Sequence, residues 1–183
     1  SGNGMHRRLL LLGLLRRENM HGYRLNEFIE RNLAFCTDVK KPTAYYLLDR
    51  LAEEGHLVEA EEDTGDGRPP RKMYSITPQG EEHFRTLLRE NLRRYERPTF
   101  PVDMSIAFLD ELPHEEALDL LHERRRLVEQ QLAEMRDVPE HGGTLGLVID
   151  HHITHLQAEL DWLQQVIDSL QAGSHTEGND NGD

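Results

Sequence analysis

The chain has 183 residues, of which 37% are hydrophobic and 30% charged, and its formal net charge at pH 7 is −13. This length suits one ordinary domain or two small ones, and the composition excludes a protein that is disordered throughout. The longest nearly apolar run, residues 9–15, is far shorter than the ~20 residues that a membrane span needs. No signal pattern surrounds it, so we expect a soluble, cytoplasmic protein. A single cysteine, Cys36, excludes internal disulfide bonds and a cysteine-rich zinc site.

The two halves of the chain carry very different charges. Residues 1–97 contain 17 Lys and Arg against 16 Asp and Glu, a balance of +1, whereas residues 98–183 contain 4 against 18, a balance of −14. Because Lys and Arg supply much of the affinity for a phosphate backbone, the net charge taken alone argues against a nucleic-acid partner. The distribution reverses that inference. The first half can approach a nucleic acid, and the acidic second half is expected to face solvent and protein.

The first half begins with two predicted helices. Residues 1–4 are interpreted as an expression scar outside the fold. A leucine-rich helix over residues 5–17 is too continuously apolar for a surface helix, so it is predicted to be buried. The second helix begins at His21-Gly22-Tyr23, and its predicted inward positions are Leu25, Phe28, Ile29 and Leu33. The turn that follows it covers residues 34–41.

A third helix is predicted over residues 42–55. Pro42 suits its first turn, and Gly55 ends it because glycine tolerates a left-handed backbone. Its apolar residues lie on one stripe with a periodicity of 3.6, namely Ala44, Leu47, Leu48 and Leu51. The other side of this helix therefore presents polar and aromatic side chains, which are Thr43, Tyr45, Tyr46, Asp49 and Arg50.

Two strands and a fourth helix complete the first half. Residues 57–62 and 71–76 are the predicted strands, and the Gly- and Pro-rich residues 63–70 form the turn between them. Thr77-Pro78 starts a helix that runs to about Tyr95, with the hydroxyl as its N-cap and proline at its first position. The order helix, helix, helix, strand, strand is that of the winged helix-turn-helix, a fold used mostly to bind DNA.

The second half is predicted to be helical and to dimerise. Residues 98–101 form a linker, residues 102–111 a short helix, and residues 114–136 and 144–171 two long helices with heptad seams. Their short connection makes the long helices an antiparallel pair. Such a pair cannot bury all its apolar surface, so a second copy of the chain is the natural partner. The remaining residues, 172–183, are predicted to be a disordered tail.

The sequence thus predicts a mainly α fold with a small β-hairpin. Residues 5–97 form an N-terminal winged helix-turn-helix domain, and residues 98–171 form a C-terminal helical dimerisation domain. The near-neutral charge of the first domain and the acidity of the second agree with this division.

Several short motifs resemble those of the PadR family of bacterial transcriptional regulators. Met20-His21-Gly22-Tyr23 is similar to the motif that follows the family's first helix. The chain departs from the family at Pro42, where glycine is usual, and at Tyr46, where proline is frequent. The second half is similar in length and order to the dimerisation region of the longer members. The recognition-helix pattern is matched by Thr43, Tyr45, Leu48, Leu51 and Gly55. The pattern at the return of the wing is matched by Arg71, Lys72, Tyr74, Thr77 and Gly80.

The resemblance implies a homodimer that binds a pseudo-palindromic DNA operator, usually represses transcription, and leaves the operator when a small-molecule effector binds. It implies no enzyme activity, and the sequence contains no nucleophile elbow, phosphate loop or paired-carboxylate motif. We expect no cofactor and no membrane partner. The alternative is a winged-helix module that binds protein without sequence-specific DNA binding.

The candidate DNA contacts form three groups. A recognition helix enters the major groove by its N-terminal part, so the residues expected to contact bases are Thr43, Tyr45, Tyr46 and Arg50. Residues expected to contact phosphate precede that helix or open the second one, and they are Lys40, Lys41, His21 and Tyr23. The wing supplies basic residues near glycine, which are Arg68, Arg71 and Lys72. The alternatives are internal packing of the tyrosines and a solvated wing tip.

Two residues of the second half are candidates for effector binding. Arg125 occupies a seam position, where a buried charge needs a partner. We expect that partner to be a glutamate such as Glu159, and an acidic effector is the alternative. Trp162 is a candidate for the lining of an effector pocket, although packing against the first helix or a partner subunit is the simpler interpretation. His151, His152 and His155 lack the glutamate of a zinc-protease motif, so we interpret them as exposed helix histidines, with a metal site as the alternative.

Overall fold

The computed structural model describes residues 4–34, 37–62, 70–139 and 143–177, with side chains as far as Gly173. By its internal contacts the chain divides into two compact units, residues 1–97 and 98–183. Within the described ranges, no helix combines the length and the apolar character that crossing a membrane requires.

The first unit contains the predicted order of helices and strands, so the predicted fold class is confirmed. The first helix ends two residues earlier than predicted, and the fourth ends at Arg93 instead of Tyr95. The elements are α1 (Met5–Leu15), β1 (Met20–His21), α2 (Gly22–Asn32), α3 (Lys41–Glu53), β2 (Leu57–Glu62), β3 (Arg71–Ile76) and α4 (Pro78–Arg93).

The sheet has three antiparallel strands in the order β1-β3-β2, where the sequence predicted only the β2–β3 hairpin. Leu57 pairs with Ile76 at one end of the hairpin, and Glu62 pairs with Arg71 at the other. The extra strand is two residues long, with Met20 opposite Tyr74. So short a strand has no alternation that sequence analysis could detect. Its pairing places the start of α2 beside β3, which decides the geometry of the candidate site.

The core of the first unit lies between its four helices and the sheet. Leu11, Leu12, Leu25, Leu48 and Leu51 are fully buried, and Tyr74 of β3 is 1% exposed. The predicted burial of α1 is therefore confirmed. Phe28 was predicted to point inward, but it is 36% exposed. The buried face of α2 is formed instead by Leu25, Asn26 and Ile29. The side-chain amide of Asn26 donates a hydrogen bond to the carbonyl oxygen of Gly22.

A compact junction joins the end of α3 to the start of α4. Gly55 has a φ of 81° and ends α3 as predicted. Thr77 is the N-cap of α4: its hydroxyl accepts from the Gly80 amide at 3.0 Å and donates to the Gly55 carbonyl at 2.7 Å. A Cβ at Gly80 would lie 2.1 Å from the His56 carbonyl oxygen, so only glycine permits this approach.

The second unit is helical, with its bounds slightly different from those predicted. The helices α6 and α7 are antiparallel, because Arg124 bonds to Glu159 and Arg136, further along α6, bonds to the earlier Gln157. Residues 172–177 are helical instead of disordered, since extending an existing helix avoids the cost of nucleation. Residues 178–183 lie outside the described part. The elements are α5 (Val102–Ala107), a 3-10 turn (Leu109–Glu111), α6 (His114–Arg136) and α7 (Thr144–Glu177).

Most of the predicted heptad seam faces the interior of this unit. Leu121 and Val128 of α6 pack with Leu163 and Ile167 of α7 in one apolar cluster. A second set of large apolar side chains in the same unit is exposed, and it comprises Phe100, Met104, Phe108, Leu112, Leu120, Leu127, Leu147 and Val148.

Candidate nucleic-acid interface

The exposed side of α3 carries the residues predicted to contact bases. Ala44, Leu48 and Leu51 bury the opposite stripe of the helix. Tyr46 is 63% exposed and Arg50 is also exposed, whereas Thr43 and Tyr45 are half-buried. A row of side chains one to two turns long is therefore available on the surface, as groove contacts require.

The N-terminal end of α3 is open and positively charged. Lys40 occupies the N-cap position in an extended conformation, and no side chain caps the helix. Lys40 and Lys41 are both exposed, and neither has an ion-pair partner among the residues that the structure describes. The uncapped amides and the helix dipole add to the charge of the two lysines. This end of α3 is thus suited to bind an anion such as a phosphate.

Tyr45 and Tyr46 differ in their surroundings. The ring of Tyr45 lies so close to the backbone of Gly22 that a Cβ there would be 2.6 Å from its Cε1 atom. The alternative of packing against α2 therefore holds in part for Tyr45. Tyr46 does not pack in this way, since most of its surface is exposed.

The start of α2 lies beside the wing, the hairpin formed by β2 and β3. His21 is half-buried, and its Nε2 lies 2.8 Å from Oε2 of Glu62 on β2. Tyr23 is 51% exposed, so it is not a core residue. The guanidinium of Arg71 lies over the Tyr23 ring, with 5.4 Å between Cζ and the ring centroid. Cation and ring attract each other in this arrangement.

These residues surround a cleft of about 490 Å³ between the start of α2, the middle of α3 and the wing. The cleft brings together five residues that the sequence singled out from three separate segments. It also contains Asp49 and Tyr74, which were not among the predicted contacts. The lining residues are His21, Gly22, Tyr23, Tyr45, Asp49, Arg71, Lys72 and Tyr74.

Lys72 is engaged within the protein. Its Nζ lies 2.9 Å from Oε2 of Glu59 and 3.5 Å from Oδ1 of Asp49. The hydrogen bond to Glu59 raises the pKa of Lys72 above its usual value. A lysine held by two carboxylates has little charge left for a phosphate, so the prediction of a backbone contact is weakened for Lys72.

Asp49 also accepts a hydrogen bond from Tyr74. The phenol oxygen of Tyr74 lies 3.2 Å from Oδ1 of Asp49. Burial, followed by the negative charge of Asp49, raises the pKa of Tyr74 to about 12, so the phenol stays protonated and can only donate to the carboxylate.

Arg50, the last of the predicted base contacts on α3, has partners within its own helix. It is exposed but lies 3.1 Å from Glu53 and 3.5 Å from Glu54. These pairs are between solvent-exposed groups and cost little to break, so Arg50 can still turn toward a ligand. Arg68, predicted to contact DNA from the wing, lies outside the described residues.

In the second unit Arg125 lies beside a glutamate, as predicted, but that glutamate is Glu129 instead of Glu159. Glu159 bonds to the neighbouring Arg124, with 2.7 Å between Oε1 and Nη2. Arg125 is 31% exposed instead of buried; it donates to Oε1 of Gln164 at 2.5 Å and lies 3.4 Å from Glu129. Successive residues of a helix point about 100° apart, so a shift of one position exchanges the partners.

The other candidate side chains of the second unit contact neighbouring residues of the same unit. Trp162 is half-buried and packs on the apolar cluster between α6 and α7. The rings of His151 and His155 meet edge to face at 4.7 Å. Among the described residues, no group of three or more His, Cys, Asp or Glu is arranged to hold a metal ion.

Two family profiles match the sequence. The profile of the transcriptional regulator PadR-like family matches residues 11–86, and that of the virulence activator alpha C-terminal region matches residues 104–171. The first match includes all of α2, α3 and the wing. The winged-helix unit of the chain therefore belongs to the PadR-like family of transcriptional regulators. None of the curated proteins compared with it is a significant match.

Several solved structures share the fold of this PadR-like chain. Bacillus subtilis PadR in complex with operator DNA has a TM-score of 0.76 at 20% identity, over 89% of this chain and 98% of that one. The same protein in complex with p-coumaric acid has a TM-score of 0.72 at 19% identity, over 91% and 97%. The Vibrio cholerae virulence activator AphA has a TM-score of 0.67 at 17% identity, over 91% and 98%. At these identities the likeness concerns the fold.

The matching family profile and the solved structures of the same fold are those of transcriptional regulators, which are not enzymes. Sequence reasoning missed Asp49 as a site residue because a carboxylate is not expected on a surface that meets phosphate. One signal was present: Lys72 and Tyr74 alternate along β3 and therefore lie on the same face of the sheet.

Proposed function

We propose that this PadR-like protein is a homodimer that binds a pseudo-palindromic operator and represses transcription, and that a small-molecule effector releases it. The observation that carries the proposal is the exposed side of α3 with its uncapped, lysine-bearing N-terminus beside the cleft of the wing. The complex of Bacillus subtilis PadR with operator DNA supports it, because that protein shares the fold.

In this proposal α3 enters the major groove. Thr43, Tyr46 and Arg50 contact base edges, and Tyr45 positions the helix through its packing on Gly22 while its exposed edge faces the groove. These side chains supply sequence preference. Affinity that is independent of sequence comes from cations at either side of the helix.

The phosphate contacts come from two places. Lys40 and Lys41 bind the backbone at the N-terminal end of α3, and Arg71, steadied by Tyr23, binds it at the wing. His21 lines the same cleft and is the N-cap residue of α2, whose first turn has no side-chain cap. Each phosphate neutralised in this way makes the affinity more sensitive to salt.

The second unit supplies the dimer. Its exposed apolar side chains, such as Leu120 and Leu127 one heptad apart on α6, have no cover within the described part of the unit. A second copy of the same surface would cover them with twofold symmetry. Two α3 helices separated by one turn of the duplex would then meet the two half-sites of the operator.

The effector is a small molecule with an acidic group. Support comes from the complex of Bacillus subtilis PadR with p-coumaric acid, and from Arg125, which is partly exposed, bonds to Gln164 and lies 3.4 Å from Glu129. We propose that Arg125 binds the acidic group and that Trp162 contributes an aromatic wall. Replacing Arg125 with Ala should abolish release by the effector and leave operator affinity intact. An unchanged response would exclude this role.

The alternative is a winged-helix module that binds only protein. It gives no reason for two exposed lysines at the open end of α3. A mobility-shift assay on the promoter of the protein's own gene, repeated at rising salt, separates the two functions. We expect selective and salt-sensitive retardation, and Lys41→Gln should weaken it while the matched variant Arg17→Gln, in the exposed turn after α1, should not. Equal retardation of unrelated DNA by all three proteins would contradict the proposal.

A further inference from the structure

We propose that Asp49 is a positioning residue for operator binding, because it ties the recognition helix to the wing through Tyr74 and Lys72. We call this group of three side chains, together with Glu59, the wing tether. The inference rests on the proposed function, since it concerns how the same surface is held in shape. It assigns to Asp49 and Tyr74 a role that the sequence did not predict.

The wing tether joins three elements at one point. Asp49 lies on α3, Glu59 on β2, and Lys72 and Tyr74 on β3. The same carboxylate oxygen, Oδ1 of Asp49, lies 3.2 Å from the Tyr74 phenol and 3.5 Å from the Lys72 ammonium. The ammonium continues to Glu59 at 2.9 Å. No other described contact of this kind links the exposed side of α3 to β3.

The negative charge of Asp49 is unfavourable for DNA binding, so another role must explain its place in the cleft. An exposed carboxylate in the lining of the cleft repels a phosphate backbone at short range. Here that charge is compensated inside the protein by Lys72 and by the phenol of Tyr74. Tyr74 is 1% exposed, so almost none of its surface is available to a ligand, and its hydroxyl is bonded to Asp49.

The tether would control the spacing of two cation-bearing segments that must meet the same duplex: the N-terminus of α3 and the wing with Arg71. Their separation depends on how the hairpin is held against α3. Outside the tether, α3 meets the hairpin mainly through buried apolar side chains such as Leu51 and Leu57, which resist sliding less than hydrogen bonds do because they are not directional.

The test is operator affinity by fluorescence anisotropy for four proteins: the wild type, Asp49→Ala, Tyr74→Phe and the double variant. We expect each single variant to bind about tenfold more weakly, in line with the loss of one hydrogen bond to a charged group. The double variant should be no weaker than Asp49→Ala, because both changes remove the same link. Glu61→Ala is the matched control, since it removes a carboxylate from the same face of the sheet without touching Asp49; it should bind as tightly as the wild type or more tightly.

Two further measurements distinguish a positioning role of Asp49 and Lys72 from direct contact of these residues with DNA. The slope of log affinity against log salt should be unchanged in Lys72→Gln, whereas loss of a phosphate contact would reduce it by about 0.9 per protomer. The order of preference among single-base operator variants should also be unchanged in Asp49→Ala. A lost preference at one base would make Asp49 a base contact and overturn the proposal.

Two results of the affinity measurements would exclude the wing tether. If Asp49→Ala binds as tightly as Glu61→Ala, or if the effects of Asp49→Ala and Tyr74→Phe simply add, there is no tether. Melting temperatures of the variants show whether a loss of binding reflects unfolding, and binding is compared well below the lowest of them. Failure of the proposed function gives a different pattern, in which the wild type itself does not distinguish operator from unrelated DNA.

Discussion

The guanidinium of Arg71 lies over the ring of Tyr23, with 5.4 Å between Cζ and the ring centroid, and so the wing meets the first turn of α2. Arginine stacks on an aromatic ring and still offers its N–H groups to a phosphate, whereas lysine is a hydrated point charge. We predict that Arg71→Ala weakens operator binding and reduces the salt slope by about 0.9 per protomer. Anisotropy titrations at several salt concentrations measure both quantities.

The matched variants of this prediction are Arg71→Lys and Tyr23→Phe. Arg71→Lys should keep the salt slope but bind more weakly than the wild type, because the charge remains while the stacked plane is lost. Tyr23→Phe keeps the ring and should resemble the wild type if the ring alone steadies Arg71. A salt slope that is the same in Arg71→Ala as in the wild type would show that Arg71 does not meet the backbone.

A second prediction concerns Gly22. A Cβ at this position would lie 2.6 Å from Cε1 and 3.3 Å from Cδ1 of Tyr45, so Gly22→Ala forces that ring to move. The ring belongs to a side chain at the edge of the cleft, and the fold should accommodate its displacement. We expect a small change in melting temperature and a loss of operator affinity of about tenfold or more.

Replacing Tyr45 provides the control for Gly22. In Tyr45→Ala the obstructing ring is absent, so adding Gly22→Ala to it should cost little further affinity. If the two losses add fully, the effect of Gly22→Ala comes from the α2 backbone and not from the displaced ring.

Much of this fold follows from local sequence patterns. The stripe formed by Ala44, Leu48 and Leu51 predicted α3 and its buried side, and the Thr77 hydroxyl predicted the start of α4. These features depend on residues close together in the chain, where periodicity and capping rules apply. The order of the helices and of the two long strands could therefore be predicted from local patterns alone.

The details of the site depended on contacts between distant segments. The two-residue strand β1 exists because Met20 meets Tyr74 across the sheet, which no local pattern encodes. The partner of Glu159 differed from the predicted one by a single position, and one position turns a helical side chain by about 100°. The ion pairs of Lys72 required knowing that α3 and β3 lie side by side.

A third prediction concerns pH. The imidazole rings of His56 and His83 are stacked, with 4.1 Å between centroids. Burial, followed by the positive charges of His56 and Arg8, lowers the pKa of His83, while Glu54 and Glu90 act in the opposite direction. Below about pH 6.5, the unfolded chain therefore takes up a proton at this position more readily than the folded one.

It follows that His83 contributes full stability above about pH 6.5, and that this contribution is lost as the pH falls through its lowered folded-state pKa. We predict that the melting temperature of the first unit falls between about pH 7.5 and about pH 5.5, and that it falls less in His83→Gln. All five tyrosines lie in this unit, so near-ultraviolet circular dichroism of tyrosine follows its unfolding. His122→Gln, a change in the second unit, is the control and should leave the pH dependence of the first unit unaltered.

A fourth prediction concerns assembly. Leu120 and Leu127 lie seven residues apart on α6 and are 49% and 57% exposed, which places two large side chains of one heptad row in water within a single copy. Burial of such a row in a dimer contributes roughly 1.5–3 kcal/mol for each leucine. Leu127→Glu introduces a charge that would be buried without a partner, so it should convert dimer to monomer at micromolar concentration. Sedimentation equilibrium measures the shift, and Glu123→Gln, an exposed change on the same helix, should leave the dimer intact.

Loss of the dimer should also weaken binding to the operator. Because a pseudo-palindromic operator needs two linked copies of α3, the Leu127→Glu monomer should lose most of its operator affinity while still binding weakly to a single half-site. Anisotropy titrations with a full operator and with a half-site duplex measure the two affinities. A monomer that binds the full operator as tightly as the wild type would separate assembly from DNA recognition in this protein.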